Sequence, residues 1–450
     1  MSKVSAIGSL ILLTCIIASY FLLDRNAESI VNASMAARVV GLGVAINLLI
    51  EYSRGTKNLL RSDILAIVGI YVLTLYEFLF DQEKFSSRIT GEQAYGGIEL
   101  ILIGLFFFVI GRHLYRYQVP ISDNELKINT RLLLTLFYVC FCIGFLYIFI
   151  TVNFDPVTMF KAAMGVRFSQ PWARGRYGGN WIVTFSELKL FTYAVPPLAG
   201  ILLNYRKSIK GIHVILVVIL LFTTLFMSFA GGTRNVFFTY FIGFLGGFFL
   251  TKKHLEFKKV VFPAAIALVV AYVAATYMVQ FRSIGLSQFL AGHREKSIDP
   301  ELVYVDYNLR TIGLLSQAFP DQHDYLGMEV VTWALLKPVP RVLWPTKPEG
   351  LSVSMEQVAK VGTGFTLAST YIGESYMGGG IPAIIIASLL FGYFTVWWNT
   401  RAANLDGEKL FIYALGLFAV LITTRSLFML TTAILPVLGV QILLKFLRKK

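Results

Sequence analysis

The stretch from Arg282 to Pro382 carries Arg282, Arg310, Arg341, Lys347 and Glu374, side chains of the types that anion chemistry needs. The centre of this stretch reads Pro338-Val339-Pro340-Arg341-Val342-Leu343-Trp344-Pro345-Thr346-Lys347-Pro348. Each proline fixes φ and removes a backbone donor, and the residue before it is pushed toward extended geometry. Prolines this closely spaced predict a stiff extended ribbon instead of a helix or a central strand. Such a ribbon would hold a guanidinium and an ammonium in place, which fits a polyanionic group, most simply phosphate. Glu374 follows in Thr370-Tyr371-Ile372-Gly373-Glu374-Ser375-Tyr376-Met377-Gly378-Gly379-Gly380-Ile381-Pro382. Gly378 to Gly380 should break this segment, and Pro382 suits the first turn of the next helix. A partly desolvated carboxylate at that place fits two roles, a general base or one half of a structural Glu–Arg ion pair.

The elements that must position these groups are membrane-spanning. The 450 residues are 56% apolar and only 15% charged, with mean hydropathy +0.67, too apolar for a soluble chain of this length. Apolar windows predict an all-α, polytopic membrane fold of about twelve spans. They lie near residues 5–23, 30–50, 63–80, 97–113, 131–151, 181–203, 212–230, 235–251, 259–280, 381–398, 408–424 and 427–445. The chain then divides into a bundle of nine spans (1–281), a large outer loop with short helices (282–380) and three further spans (381–450). Arg38 sits inside the second window and should snorkel or face the bundle. The first window follows Lys3 with no small-residue cleavage site after it, so it reads as a span and not a signal peptide. Cys15, Cys140 and Cys142 all fall within apolar runs and form neither a disulfide framework nor a zinc pattern.

Alternate short loops are basic: Lys3; Arg54, Lys57 and Arg61; Arg112, Arg116, Lys127 and Arg131; Arg206, Lys207 and Lys210; Lys252, Lys253, Lys258 and Lys259; Arg401 and Lys409; and Lys445, Arg448, Lys449 and Lys450. The positive-inside rule puts these loops and both termini in the cytoplasm. The net charge of +14 is thereby accounted for by topology, with no nucleic-acid partner. The loop from Arg282 to about Pro382 then lies outside, with Arg167, Arg174, Arg176, Arg234, Arg310, Arg341 and Arg425. In Gly165 to Asn180, arginines alternate with Phe168, Trp172 and Tyr177. Aromatic faces stack on sugars and guanidiniums donate to phosphate or hydroxyl oxygens, so Arg167, Trp172 and Arg176 fit a glycan; an interfacial loop lying on lipid phosphates fits them equally. Ala230-Gly231-Gly232-Thr233-Arg234-Asn235 is a tight outer turn that opens a span. Thr233 could cap it, and a helix N-terminus beside an arginine favours an anion. Asp306 to Leu315 has helical apolar spacing, consistent with a helix on the membrane surface. His293 and His323 lack further ligands at metal spacing. No nucleotide loop, paired-Asp motif or metal cluster is present, so chemistry here would need a donor drawn from the membrane and no metal or cofactor.

Three motifs together, Gly-Gly-Thr-Arg opening a span, Pro-Val-Pro-Arg-Val-Leu-Trp-Pro-Thr-Lys-Pro, and Thr-Tyr-Ile-Gly-Glu-Ser-Tyr-Met-Gly-Gly-Gly before the next span, resemble the Wzy-type polymerases of oligosaccharide repeat units, such as those of O-antigen and capsule. The resemblance covers roughly residues 220–400 at motif level, and the N-terminal half matches only in hydropathy. It implies a bacterial inner-membrane glycosyltransferase of GT-C type with its site facing the periplasm. That enzyme moves a growing glycan from undecaprenyl diphosphate onto the non-reducing end of a new lipid-linked unit, alongside a flippase and a chain-length regulator. Arg234 and Arg341 fall at the family's arginines, with Lys347 and Glu374 at less secure positions; Arg282, Arg310 and Arg167 rest on the residue reading alone. Together these give Arg341 and Glu374 the catalytic roles, Arg234, Arg282, Arg310, Arg341 and Lys347 the diphosphate, and Arg167, Trp172, Arg176 and Tyr371 the glycan. Two alternatives remain: an O-antigen ligase, which would want a histidine beside the arginines, and a transporter of the lipid-linked unit.

Overall fold

A computed structural model describes residues 1–80, 82, 85, 87–116, 128–173, 181–252, 277–278, 280–294, 308–339, 344, 346–348, 350–360, 367–403 and 406–448. Every regular element among them is helical. In chain order these are α1 (Ala6–Phe21), α2 (Ser29–Ser53), α3 (Ser62–Thr74), α4 (Gly91–Leu114), α5 (Thr130–Thr151), α6 (Pro156–Ala163), α7 (Val195–Asn204), α8 (Gly211–Ala230) and α9 (Arg234–Leu250). They continue as α10 (Leu286–Leu290), α11 (Asn308–Ala318), α12 (Met328–Leu336), α13 (Met355–Val358), α14 (Thr370–Ala403), α15 (Gly407–Arg425) and α16 (Leu430–Arg448). Among the described residues, seven helices are long and apolar enough to cross a membrane: α2, α4, α5, α8, α14, α15 and α16 with its preceding turn. Ala6–Phe21, Ser62–Thr74 and Arg234–Leu250 are apolar but shorter. The window 181–203 opens as a 3-10 helix, Trp181–Ala194, before α7. The window 259–280 lies almost wholly outside the described residues.

Two apolar cores share α15. One joins α1 to α4 with α11, α12 and α14; the other joins α5, α7 and α8 with α15 and α16. The first is closed by glycine. An added Cβ at Gly111 would lie 2.4 Å from the Leu389 carbonyl oxygen, so α4 and α14 meet backbone to backbone. Small residues allow this approach where lipid gives helices no hydrophobic reason to associate.

The end of the bundle that carries Lys3, Arg54 and Lys57 is locked by a buried ion cluster. Asp63, at the start of α3, accepts from Arg61 Nε at 3.0 Å and Nη2 at 2.7 Å, from Arg112 Nε at 2.8 Å and from Asn399 Nδ2 at 2.7 Å. Glu51, from α2, accepts from Arg61 Nη1 at 3.0 Å and from the Ser5 amide at 2.9 Å. All four charged side chains are at most 1% exposed. Two buried cations meet two buried anions, so the buried charges balance and can leave water, while exposed Arg54 reaches Glu51 Oε2 at 3.3 Å from the rim. It ties α2, α3, α4 and α14 together at one level. Nearby, Lys57 donates to the Leu250 carbonyl at 3.1 Å, and burial lowers its ammonium below the usual range.

At the opposite end α14 is not one rod. Gly379 and Gly380 leave helical geometry, with Gly380 at φ +65°, in the left-handed region that glycine tolerates. Residues 370–378 fold back along residues 381–391. The Tyr371 hydroxyl lies 3.1 Å from that of Ser388, and the Tyr371 ring is edge-on to Phe391 at 5.2 Å between centroids. In a straight helix those seventeen positions would be about 25 Å apart. The glycine break and Pro382 in the opening turn of the second piece therefore agree with the sequence. The backbone entering this hairpin is sheltered, since every residue from Ala368 to Met377 is buried. Irregular backbone at membrane depth persists only where protein or a watery cavity surrounds it.

α11 forms where its apolar spacing predicts, but its stripe faces protein. Leu309, Ile312 and Leu315 are fully buried, and Gly313 abuts the Gln93 carbonyl of α4. The expected membrane-surface helix is thus a packed member of the bundle.

Candidate functional site

Glu374 sits on the returning half-helix of α14 and is 1% exposed. Three donors from the turn between α15 and α16 orient its carboxylate, the Leu427 amide among them. The Ser426 hydroxyl donates to Oε1 at 2.6 Å and the Phe428 amide to Oε2 at 3.2 Å. Each carboxylate oxygen has lone pairs for more than one partner, so these bonds aim the group without exhausting it. Lys337, the residue that ends α12, lies within electrostatic reach of Glu374, and its ammonium stands 5.8 Å from the Phe428 ring centroid. The Thr431 hydroxyl donates to the Ala334 carbonyl, fastening α12 over the same turn.

That turn also holds a guanidinium. Arg425 ends α15 and points to Asn235 in the first turn of α9. With its amide oxygen toward the arginine, Asn235 accepts from Nε at 2.9 Å and Nη1 at 3.2 Å. One short turn, Arg425 to Phe428, therefore bridges the Gly-Gly-Thr-Arg-Asn motif and Glu374. On the far side of the motif, Gly232 takes φ +63°, and an added Cβ would lie 3.1 Å from Arg282 Cα. The turn and Arg282 are packed directly together. Thr233 does not cap α9 through its side chain; its hydroxyl donates back to the Gly231 carbonyl at 3.3 Å. The next strip of chain is also drawn in: the Ser287 amide donates to the Met164 carbonyl at 2.9 Å, and Gly285 abuts Gly165. The loop bearing Arg167 and Trp172 thereby packs beside the segment that follows Arg282. Trp172 is itself half-buried against both apolar neighbours of that loop.

The predicted site residues divide accordingly. Glu374, Arg234 and Arg282 belong to connected elements at one end of the bundle, and Arg167 stands on the adjoining loop, its guanidinium 5.2 Å over the Phe168 ring. Lys347 has a more local task. Its ammonium donates to the carbonyls of Lys337 at 2.6 Å and Val339 at 2.9 Å, closing the C-terminal end of α12, and lies 5.5 Å over the Trp333 ring. Two of its three donors are thus spent on backbone. Arg310 is turned to another segment, donating to the Arg88 carbonyl at 3.1 Å. Tyr371, expected at the glycan, is 1% exposed inside the α14 hairpin, as buried as Glu374, with its hydroxyl 3.1 Å from that of Ser388. Arg341 and Arg176 lie outside the described residues. Among the described residues, no group of three His, Cys, Asp or Glu could hold a metal ion.

Sequence reasoning passed over Ser426 and Asn235. Both stand next to an arginine in a tight turn, and that adjacency was the available signal. The 52-residue separation of Ser426 from Glu374 hid their contact.

Residues 210–450 match a domain of unknown function, DUF8712, and the chain belongs to that family. No curated protein and no solved structure matches the chain.

Proposed function

We propose that this member of the DUF8712 family is a membrane glycosyltransferase that polymerises oligosaccharide repeat units carried on undecaprenyl diphosphate. The observation that carries the reading is the Arg425–Phe428 turn, which presents a guanidinium on one flank and an oriented, buried carboxylate on the other. Those are the two groups that transfer from a sugar diphosphate requires.

In the reaction, the acceptor sugar hydroxyl attacks the anomeric carbon of the donor chain. The anomeric C–O bond to phosphate breaks, and its electron pair leaves with the diphosphate. Glu374 takes the proton of the attacking hydroxyl, which the Ser426, Leu427 and Phe428 donors leave it free to do on its remaining lone pairs. Arg425, held by Asn235, joins Arg234, Arg282 and Arg341 in offsetting charge on the departing diphosphate. Removing one such preorganised donor typically costs roughly 3–4 kcal/mol, about 10²–10³ in rate. The Arg167–Trp172 loop adjoins this end and takes the glycan.

In this reading the protein spans a bacterial inner membrane about twelve times, with both termini in the cytoplasm and the Glu374 end facing the periplasm. The rule that basic loops stay inside supports this direction, because the ion-locked end is the lysine-rich one. The test in cells is the length distribution of surface polysaccharide. Glu374→Gln and Arg341→Lys strains that express normal amounts of protein should show single units in place of long chains, since lysine keeps charge but loses the bidentate fork. Normal long chains from both would remove the proposal.

A further inference from the structure

One face of α4 changes character along its length. Glu92, Tyr95, Glu99, Ile103 and Phe106 follow at intervals of three or four residues, so they share a stripe. The stripe is polar near the start of the helix and apolar beyond. Its apolar part forms one wall of an open groove of about 190 Å³, completed by Ile16, Tyr20 and Phe21 of α1, with Phe107 beside them. Tyr20 connects the two parts: its ring lines the groove while its hydroxyl donates to Glu99 Oε1 at 3.1 Å. Glu99 lies about 12 Å into α4 by helical rise. A carboxylate on an outward-facing stripe of a membrane-length helix is costly and asks for a cationic partner. Above it, exposed Arg25 lies 5.1 Å over the Tyr95 ring and hydrogen-bonds the Tyr95 side chain, with Glu99 and Glu92 both within electrostatic reach.

We infer that this α1–α4 face binds a phospholipid with a primary-ammonium zwitterionic head, of the phosphatidylethanolamine class. One tail lies in the groove between Ile16 and Phe106. The ammonium donates to Glu99, and the phosphate accepts from Arg25. Charge selects this occupant. Two carboxylates and one guanidinium repel a purely anionic head, and a trimethylammonium head has no N–H to give. The arrangement stands on α1, α4 and the turn after α1 and is independent of the proposed polymerase reaction.

The test uses the full chain purified in detergent and titrated with dioleoyl phosphatidylethanolamine, phosphatidylcholine or phosphatidylglycerol. Native mass spectrometry reads the lipid retained. The wild type should keep one phosphatidylethanolamine with roughly tenfold preference over the other two, the size expected for one charged hydrogen bond. Glu99→Gln and Arg25→Gln should each abolish the preference, and Arg25 is an exposed loop residue whose change leaves folding intact. Ile103→Trp should fill the groove and lower retention of phosphatidylethanolamine. Equal retention of all three lipids by the wild type, or a preference that survives the folded Arg25→Gln protein, overturns the inference.

Discussion

Replacing Asp63 by Asn is the sharpest probe of how the bundle is held. The change keeps shape and removes one charge from a cluster at most 1% exposed. Asp63 accepts two bonds from Arg61 and one from Arg112, and Arg112 Nη2 also lies 2.8 Å from Oδ2. The mutant leaves the two buried guanidiniums, with Arg54 at the rim, facing Glu51 alone, and a net positive charge buried among α2, α3, α4 and α14. Breaking one partner of a buried ion group costs about 3–5 kcal/mol, or roughly 10²–10⁴ in the folding equilibrium. The new amide also turns a donor toward a guanidinium where an acceptor stood. Adding Arg112→Gln restores neutrality, so the double mutant should be more stable than the sum of the singles by about 0.5–3 kcal/mol. The assay is unfolding of the four purified proteins in one detergent, followed by far-UV circular dichroism. An Asp63→Asn protein as stable as wild type, or a double mutant at the plain sum, would refute the neutral-cluster account.

Three other outcomes follow from the packing and the site. Gly111→Ala puts a Cβ 2.4 Å from the Leu389 carbonyl oxygen, so α4 and α14 must part, at a cost of about 1–3 kcal/mol read as a lower unfolding midpoint. Ser426→Ala removes the one side-chain donor among the three that aim Glu374, and should slow glycan transfer by roughly tenfold to a hundredfold while the unfolding midpoint stays near wild type. Lys347→Met strips two bonds from the end of α12 and should raise amide hydrogen exchange in Met328–Leu336; unchanged protection there would show that the ammonium does not hold that helix.

Helical, membrane-length organisation was legible because apolar runs are long and the window is wide. The α14 break was legible too, since three glycines followed by Ile381 and Pro382 leave few backbone choices. Its consequence was not: nothing in the spacing says that residues 370–378 turn back until Tyr371 meets Ser388. The fate of α11 escaped for a related reason. An amphipathic stripe states that Leu309, Ile312 and Leu315 need cover, but lipid and protein satisfy that need alike. Among the cations, type and position pointed to one end of the bundle. Partner choice did not follow, because Lys347 could serve an anion or a helix terminus and only the neighbouring carbonyls decide. The ion cluster stayed hidden because Glu51, Arg61, Asp63 and Arg112 each look like loop-edge charges in isolation.

Transfer by the purified protein in liposomes, supplied only with lipid-linked repeat units and no lipid A, bears most directly on the site. Wild type should build polymers of many units, and Arg425→Gln and Glu374→Gln should each fall by about 10²-fold or more. Full-length polymer from a folded Glu374→Gln protein, or movement of the lipid-linked unit across the bilayer with no new glycosidic bond, would contradict the account.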